Sequence, residues 1–174
     1  MKIKIIKTPL KDINKIVYSK FVDTRGSFQR LFCDIKLKKL KFKVKQINLS
    51  TNSKKNTFRG FHYQKKHKEK KIIKVLKGSL VFYVLNINKY SSDYLNTFKI
   101  KISDKDNFGL FISDYYATAY FTTKKNTQIL YLMNNYYNPK DSRGINFKDP
   151  KIKIKLPRKP YVISKKDENW DYIK

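Results

Sequence analysis

The chain of 174 residues contains only two histidines, which limits the acid–base chemistry available to it. His62 lies between aromatic residues in the segment TFRGFHYQ (57–64), directly after an Arg-Gly pair. His67 lies in the charged run KKHKEKK (65–71). Imidazole exchanges protons most readily near neutral pH. We therefore predict proton transfer by His62, assisted by a tyrosine, a lysine and a carboxylate from elsewhere in the chain.

Metal-dependent and nucleophilic chemistry have weaker support in the residues. Metal sites in barrels are usually built from two or three histidines and a carboxylate, whereas one of the two histidines here lies among lysines. Cys33 has no polar partner nearby in the sequence, and neither a Gly-x-Ser-x-Gly elbow nor a glycine-rich phosphate loop occurs. We predict no metal site. The competing interpretation of His62 is a hydrogen-bonded histidine of the core.

Short runs of alternating apolar and polar residues predict the strands that position His62. They are KIVYSKF, GSFQRLFCDI, FKVKQINLS, KIIKVLKGSLVFYVLNI, TFKIKIS, FGLFIS, ATAYFTT, TQILYLM and KIKIKLP. Turn-forming segments separate them at intervals of ~8–12 residues, as in antiparallel sandwiches and barrels. About ten such strands predict an all-β jelly-roll barrel with a ligand between its sheets. Helix is sparse, with DIKLKKLK (34–41) the best candidate.

The pattern of the strand that carries His62 does not show which of its side chains point into the barrel. In a regular strand Arg59 and Phe61 share one face, and His62 lies on the other with Phe58 and Gly60. A bulge changes this pattern. The residues alone do not decide which face lines the cavity.

The chain is strongly basic, with 41 Lys and Arg against 13 Asp and Glu and a formal net charge of +28. The lysines are spread along the whole chain, so we predict a solvated lysine-rich surface rather than a nucleic-acid interface. A positive field of this kind concentrates anionic ligands near a cleft.

The sequence predicts one cytoplasmic domain. No run approaches the ~20 apolar residues of a membrane span, and the first fifteen residues have no apolar run long enough for a signal peptide. The single cysteine excludes an intrachain disulfide and suits a reducing compartment. Neither a linker nor an internal repeat divides the chain, so residues 1–174 are expected to form a single domain.

Seven motifs in chain order resemble the dTDP-4-dehydrorhamnose 3,5-epimerase family. They are DTRGSF (23–28), QINLS (46–50), RGFHYQ (59–64), KIIKVLKG (71–78), YLMNNYYNP (131–139), GINFKDP (144–150) and ISKKD (163–167). The resemblance implies a cupin-type jelly roll, a homodimer, and an isomerase that uses neither metal nor organic cofactor. It also implies a nucleotide-diphosphate 4-keto-6-deoxy sugar as substrate, epimerised at C3, C5 or both. The product would enter deoxysugar synthesis, such as that of rhamnose, for surface polysaccharide.

The resemblance assigns the catalytic roles. His62 is implied as the base, in a pair with Asp167, because a carboxylate fixes the imidazole tautomer and stabilises the imidazolium. Tyr131 is implied as the acid on the opposite face of the sugar, and Lys71 as the cation that stabilises the enolate oxygen. Because Lys71 lies in a lysine-rich run, Lys70 and Lys74 remain alternatives.

The resemblance also assigns substrate contacts. Arg25 and Arg59 are implied at the diphosphate, where a guanidinium pairs well with phosphate oxygens. Tyr137 is implied as an aromatic that stacks on the nucleobase. The remaining polar contacts implied are Gln46, Asn48 and Lys166.

Three positions depart from the family pattern. Thr118 replaces a sugar-contacting histidine, and Arg30 replaces a nucleotide-contacting glutamate. A later acidic contact falls near Ser142, next to Asp141. These changes leave the nucleotide and the number of epimerised carbons open. The alternatives are an epimerase of one carbon, a ketoisomerase of another sugar nucleotide, and a non-catalytic barrel that binds a sugar nucleotide or nucleic acid.

Overall fold

The computed structural model describes residues 2–174, and antiparallel strands dominate it. The strands are β1 (Ile3–Lys7), β2 (Ile13–Tyr18), β3 (Lys20–Asp23), β4 (Gly26–Gln29), β5 (Gln46–Asn52), β6 (Phe58–Gln64), β7 (Lys71–Lys77), β8 (Ser79–Asn86), β9 (Thr97–Ser103), β10 (Phe108–Ile112), β11 (Tyr116–Thr122), β12 (Thr127–Met133) and β13 (Ser142–Gly144). The helices are α1 (Asp34–Leu37), continued by a 3-10 turn at Lys38–Leu40, and α2 (Lys165–Glu168). The predicted helix at 34–41 is therefore confirmed as a single short helical segment.

Two sheets form the barrel. One has six strands in the order β1-β2-β10-β7-β12-β5, and the other has five in the order β13-β6-β11-β8-β9. Strands β3 and β4 form a separate hairpin. The predicted all-β barrel of antiparallel strands is confirmed. Two of the predicted strand runs are wrong in part or whole: KIKIKLP (151–157) forms no strand, and of GSFQRLFCDI (26–35) only Gly26–Gln29 is a strand. None of the helices in residues 2–174 is both long enough and apolar enough to cross a membrane.

Apolar side chains that alternate along the strands fill the space between the two sheets at one end of the barrel. Ile73 and Ile129 of the six-stranded sheet pack there against Leu80, Phe82 and Val84 of the other sheet. Burying such side chains contributes roughly 1.5–3 kcal/mol each, so this end of the barrel is a solid core. The opposite end holds polar side chains and an open cavity.

The outer faces of both sheets are also covered. Residues 145–163 cover the five-stranded sheet, where Ile145 and Ile152 pack on Phe58, Phe61 and other side chains. Leu37 and Phe42 cover the six-stranded sheet. With both faces buried, the strands that carry the cavity side chains are held on two sides.

A bulge in β6 decides which of its residues face the barrel interior. Thr118 pairs with His62 and Tyr120 with Arg59, so two steps along β11 match three steps along β6. Arg59 and His62 therefore both line the cavity, whereas Phe58 and Phe61 pack in the outer cluster. The simple alternation, with Arg59 opposite His62, is wrong at this point.

Candidate active site

Polar residues line a cavity of about 410 Å³ between the two sheets. Nine of the twelve site residues predicted from the sequence lie in its wall, namely His62, Lys71, Tyr131, Asp167, Asn48, Arg59, Thr118, Tyr137 and Lys166. The other three are Arg25, Arg30 and Gln46. Within residues 2–174, no three His, Cys, Asp or Glu side chains cluster closely enough to hold a metal ion.

His62 and Asp167 form a hydrogen-bonded pair across 105 positions of the chain, with 2.6 Å between Nε2 and Oδ1. Helix α2 positions the carboxylate, because Ser164 caps the helix by accepting from the Asp167 backbone N–H at 3.0 Å. The backbone N–H of Gly60 donates to Oδ2 at 3.3 Å. The Asp167 side chain is 6% exposed and that of His62 is 43% exposed, so the imidazole separates a buried acid from the open cavity.

Hydrogen bonding keeps Asp167 ionised. Burial raises the pKa of its carboxyl, but the bonds to His62, Gly60 and Trp170 and the attraction of His62 outweigh burial and lower the pKa below its ordinary value. A carboxylate accepts hydrogen bonds and donates none, so Nε2 of His62 carries the proton and donates it. The lone pair of the neutral ring is then on Nδ1. In this tautomer Nδ1 is the ring atom that can accept a proton.

Tyr131 extends from β12, in the sheet that faces the His62 strand. Burial first, and then the neighbouring Tyr120 hydroxyl, raise the pKa of the Tyr131 phenol well above its ordinary value. The phenol therefore stays protonated at neutral pH and has a proton that it can donate. Tyr120 itself bonds the hydroxyl of Ser50 at 2.9 Å.

Lys71 is the lysine of its run that reaches the cavity. Its Nζ donates to Glu69 Oε1 at 2.7 Å and to Thr118 Oγ1 at 3.4 Å. Lys74 lies on the other face of β7, and its Nζ donates to the Asp106 carbonyl at 2.6 Å. Lys70 does not line the cavity either. Among the three candidates, the structure thus places Lys71 in the wall.

The polar substrate-contact candidates form linked pairs. Arg59 Nε donates to Asn52 Oδ1 at 3.1 Å, which holds the guanidinium at the cavity wall. Gln46 lies just outside, where its amide donates to Asn48 Oδ1 at 2.9 Å and accepts from the Tyr137 backbone N–H at 3.0 Å. Gln46 therefore supports two wall residues instead of lining the cavity itself.

Two predicted contacts lie away from the cavity of their own chain. Arg25 is at the tip of the β3–β4 hairpin, where its side chain is 86% exposed and pairs with Asp23 at 2.6 Å. Arg30 follows the same hairpin and is exposed. Neither arginine is therefore positioned to contact a ligand in the cavity of its own chain.

The later acidic contact expected near Ser142 concerns two neighbouring residues, Ser142 and Asp141, which have different surroundings. Ser142 lines the cavity. Asp141 is buried and accepts from the backbone N–H groups of Lys66 at 2.7 Å and His67 at 2.6 Å. Asp141 therefore holds the loop after β6, and His67, the second histidine, belongs to that loop rather than to the site.

The wall residues that sequence reasoning missed include Glu69, Tyr120 and Trp170. Glu69 is hidden in the charged run 65–71, which is typical of a solvated surface. Trp170 is the only tryptophan of the chain and follows the last motif by three residues, and that spacing was the one available signal.

Gly60 is a position where the fold requires glycine. Its φ is +127°, and a Cβ there would collide with Ala119. We expect Gly60→Ala to lower the free energy of unfolding by about 3 kcal/mol, from backbone strain and overpacking together. Gly26→Ala is the matched control, because Gly26 has the same φ and open space around it. Chemical denaturation of both variants measures the difference, and equal losses would contradict the steric explanation.

Comparison with known proteins agrees with the motifs. A family model described as dTDP-4-dehydrorhamnose 3,5-epimerase matches residues 7–174. The chain is 25% identical over 171 residues to the dTDP-4-dehydrorhamnose 3,5-epimerase of Methanothermobacter thermautotrophicus, covering 96% of this chain and 92% of that one.

Solved structures extend this likeness to the fold. The Bacillus anthracis dTDP-4-dehydrorhamnose 3,5-epimerase with TDP and PPi bound matches with a TM-score of 0.93 and 24% identity, over 99% of this chain and 100% of that one. The Legionella pneumophila dTDP-6-deoxy-D-glucose-3,5-epimerase in complex with dTDP-4-keto-L-rhamnose matches with a TM-score of 0.90 and 25% identity, over 95% and 90% of the two chains. The chain, a cupin-type jelly roll, belongs to the dTDP-4-dehydrorhamnose 3,5-epimerase family.

Proposed function

We propose that this protein epimerises C3 and C5 of a dTDP-linked 4-keto-6-deoxy sugar without a cofactor. One observation carries the proposal: the bonded pair His62–Asp167 faces the protonated phenol of Tyr131 across a single cavity. Inversion at a carbon next to a ketone needs a proton removed from one side and another added from the opposite side. The two facing sheets supply a base and an acid in that arrangement.

The reaction begins at His62. Nδ1 removes the proton from the sugar carbon next to the C4 ketone. The C–H electron pair forms a double bond to C4, and the carbonyl electrons move to the oxygen to give an enolate. Asp167 stabilises the imidazolium that forms. The Lys71 ammonium stabilises the negative charge on the enolate oxygen. Tyr131 then protonates the same carbon from the other face, and solvent exchange returns the proton from His62 to the phenolate.

The cations at the wall suit a diphosphate. Arg59 presents its guanidinium, and Lys166 presents an ammonium on helix α2. Lys71 is paired with Glu69 and assigned to the enolate oxygen, so Arg59 and Lys166 are the wall cations left for phosphate oxygens. Tyr137, which is 54% exposed beside this region, offers a ring face to the base.

Solvent deuterium tests the reaction directly. Incubated in D₂O with a dTDP-4-keto-6-deoxy sugar, the enzyme should place deuterium at C3 and C5, as read by NMR. Label at C3 alone would restrict the reaction to one carbon, in keeping with the loss of a histidine at Thr118. Absence of label with every nucleotide tried would overturn the proposed function.

A homodimer is part of the proposal, together with a cytoplasmic location. Strand β5 is an edge of the six-stranded sheet, and Ile47 on it is 62% exposed. The β3–β4 hairpin exposes Phe21 by 57%, Val22 by 67% and Phe28 by 65%. An open sheet edge and exposed apolar side chains each favour pairing with a second copy.

Charging the exposed edge is expected to separate the two copies. Ile47→Lys places a charge on β5, so sedimentation should report a monomer where the parent protein is a dimer. Ile35→Lys is the matched control, because Ile35 is 76% exposed and belongs to α1 instead of β5. A dimer that survives Ile47→Lys would place the interface elsewhere.

The proposed dimer also gives a role to the exposed arginines Arg25 and Arg30. Since Arg25 and Arg30 do not reach their own cavity, a second copy is the route by which they contact substrate. We expect Arg25→Ala and His62→Ala to be poorly active alone and to recover activity when mixed and allowed to exchange subunits, because one hybrid site then has both residues. Absence of recovery in a mixture shown to contain hybrids would argue against this route.

A further inference from the structure

Trp170 contacts the His62–Asp167 pair from the C-terminal segment. Its indole N–H donates to Asp167 Oδ1 at 3.2 Å, the oxygen that also bonds His62 Nε2 at 2.6 Å. Its ring meets the imidazole edge-on, with 6.3 Å between centroids and an interplanar angle of 72°. We propose that Trp170 is a positioning residue that fixes the Asp167 carboxylate, and through it the tautomer and orientation of His62.

The carboxylate has few restraints other than these bonds. One oxygen, Oδ2, accepts from the Gly60 backbone N–H at 3.3 Å, and the other is shared by His62 and Trp170. Rotation about the last carbon–carbon bond of an aspartate side chain is soft. With the indole donor removed, Oδ1 is bonded by His62 alone, which is the ring to be oriented, and the long hydrogen bond from Gly60 is the one that holds the carboxylate from outside the pair. The lone pair of His62 then loses a defined direction.

Trp170 is itself held in place, as a positioning residue must be. Gly144 of β13 lies against the indole, and any Cβ there would overlap the ring. The Trp170 carbonyl accepts from the Asn146 amide at 2.9 Å. The Lys166 ammonium lies 5.0 Å from the centroid of the indole ring, within reach of a cation–π interaction. The C-terminal segment is thus fastened to the strand next to β6.

Trp170→Phe removes the N–H donor and keeps an aromatic ring, and Tyr172→Phe is the matched control on the same segment. In the ¹⁵N spectrum of the His62 ring, the parent protein should show the Nε2–H tautomer almost alone, and Trp170→Phe should show a mixture. The inference rests on the proposed function for its consequence, but this readout needs no substrate. An unchanged tautomer ratio in Trp170→Phe overturns the inference, whatever the activity does.

Deuterium exchange then measures the size of the effect. A hydrogen bond to a charged group contributes enough to change a rate by about 10-fold or more, so kcat should fall by about that factor in Trp170→Phe while KM stays within about two-fold. If the parent protein exchanges no deuterium, the proposed function fails while the spectrum still decides the inference. If Trp170→Phe does not fold, hydrogen exchange of the indole N–H in the parent protein decides: slow exchange supports the bond to Asp167, and free exchange overturns it.

Discussion

His62→Ala is expected to lower deuterium exchange into the sugar by about 10³-fold, because a positioned acid–base group contributes 10²–10⁴-fold. Binding of the nucleotide should change little, since the diphosphate contacts proposed for Arg59 and Lys166 remain. Exchange is followed by NMR, and nucleotide binding by calorimetry.

The second histidine provides the control for this result. His67→Ala removes an imidazole that is 57% exposed and bonds Asp141 at 3.1 Å, outside the cavity wall. We expect exchange close to that of the parent protein. Unchanged exchange in His62→Ala would assign the base to another residue, and equal losses in both variants would indicate a general structural effect.

Tyr131→Phe is expected to separate proton removal from inversion. Formation of the inverted sugar should fall by about 10³-fold, because the phenol that adds a proton from the second face is gone. Exchange without inversion should persist within about ten-fold, because the His62 imidazolium is 43% exposed and trades its proton with solvent before returning it to the same face. Stereochemical analysis of the deuterated sugar measures both rates.

Tyr90→Phe is the control for loss of a phenol, since Tyr90 is 99% exposed. It should leave both rates unchanged. Loss of exchange and inversion together in Tyr131→Phe would contradict the division of labour between the two faces. The raised pKa of Tyr131 also predicts that its donor role persists as pH rises through 10, the ordinary value for tyrosine.

Local patterns predicted most of the strands and the residue types of the site, although β1 was not predicted and KIKIKLP (151–157) forms no strand. Alternation predicted the antiparallel barrel because burial of one face imposes a period of two, and the short helix at 34–41 broke that period visibly. The motifs around His62, Tyr131 and Asp167 lie on β6, β12 and α2, and the fold brings all three to one cavity.

Neighbouring residues of one type were harder to tell apart from sequence. Lys70, Lys71 and Lys74 are chemically equal in a lysine-rich run, and only the direction of each side chain in the folded sheet selects Lys71 for the wall. Glu69 was hidden in the same run for the same reason. Arg25 and Arg30 are likewise exposed because of where the hairpin lies in the fold. The local sequence around them carries no information about that position.

The sequence by itself determined the fold class, the family and the identity of the one imidazole suited to proton transfer. The tertiary structure alone decided that Arg59 and His62 share a face, because the bulge depends on how β6 pairs with β11. It also decided that Trp170 completes the contacts of Asp167. Such contacts join residues far apart in the chain, and packing between sheets and segments sets them, whereas sequence patterns report only the preferences of neighbours.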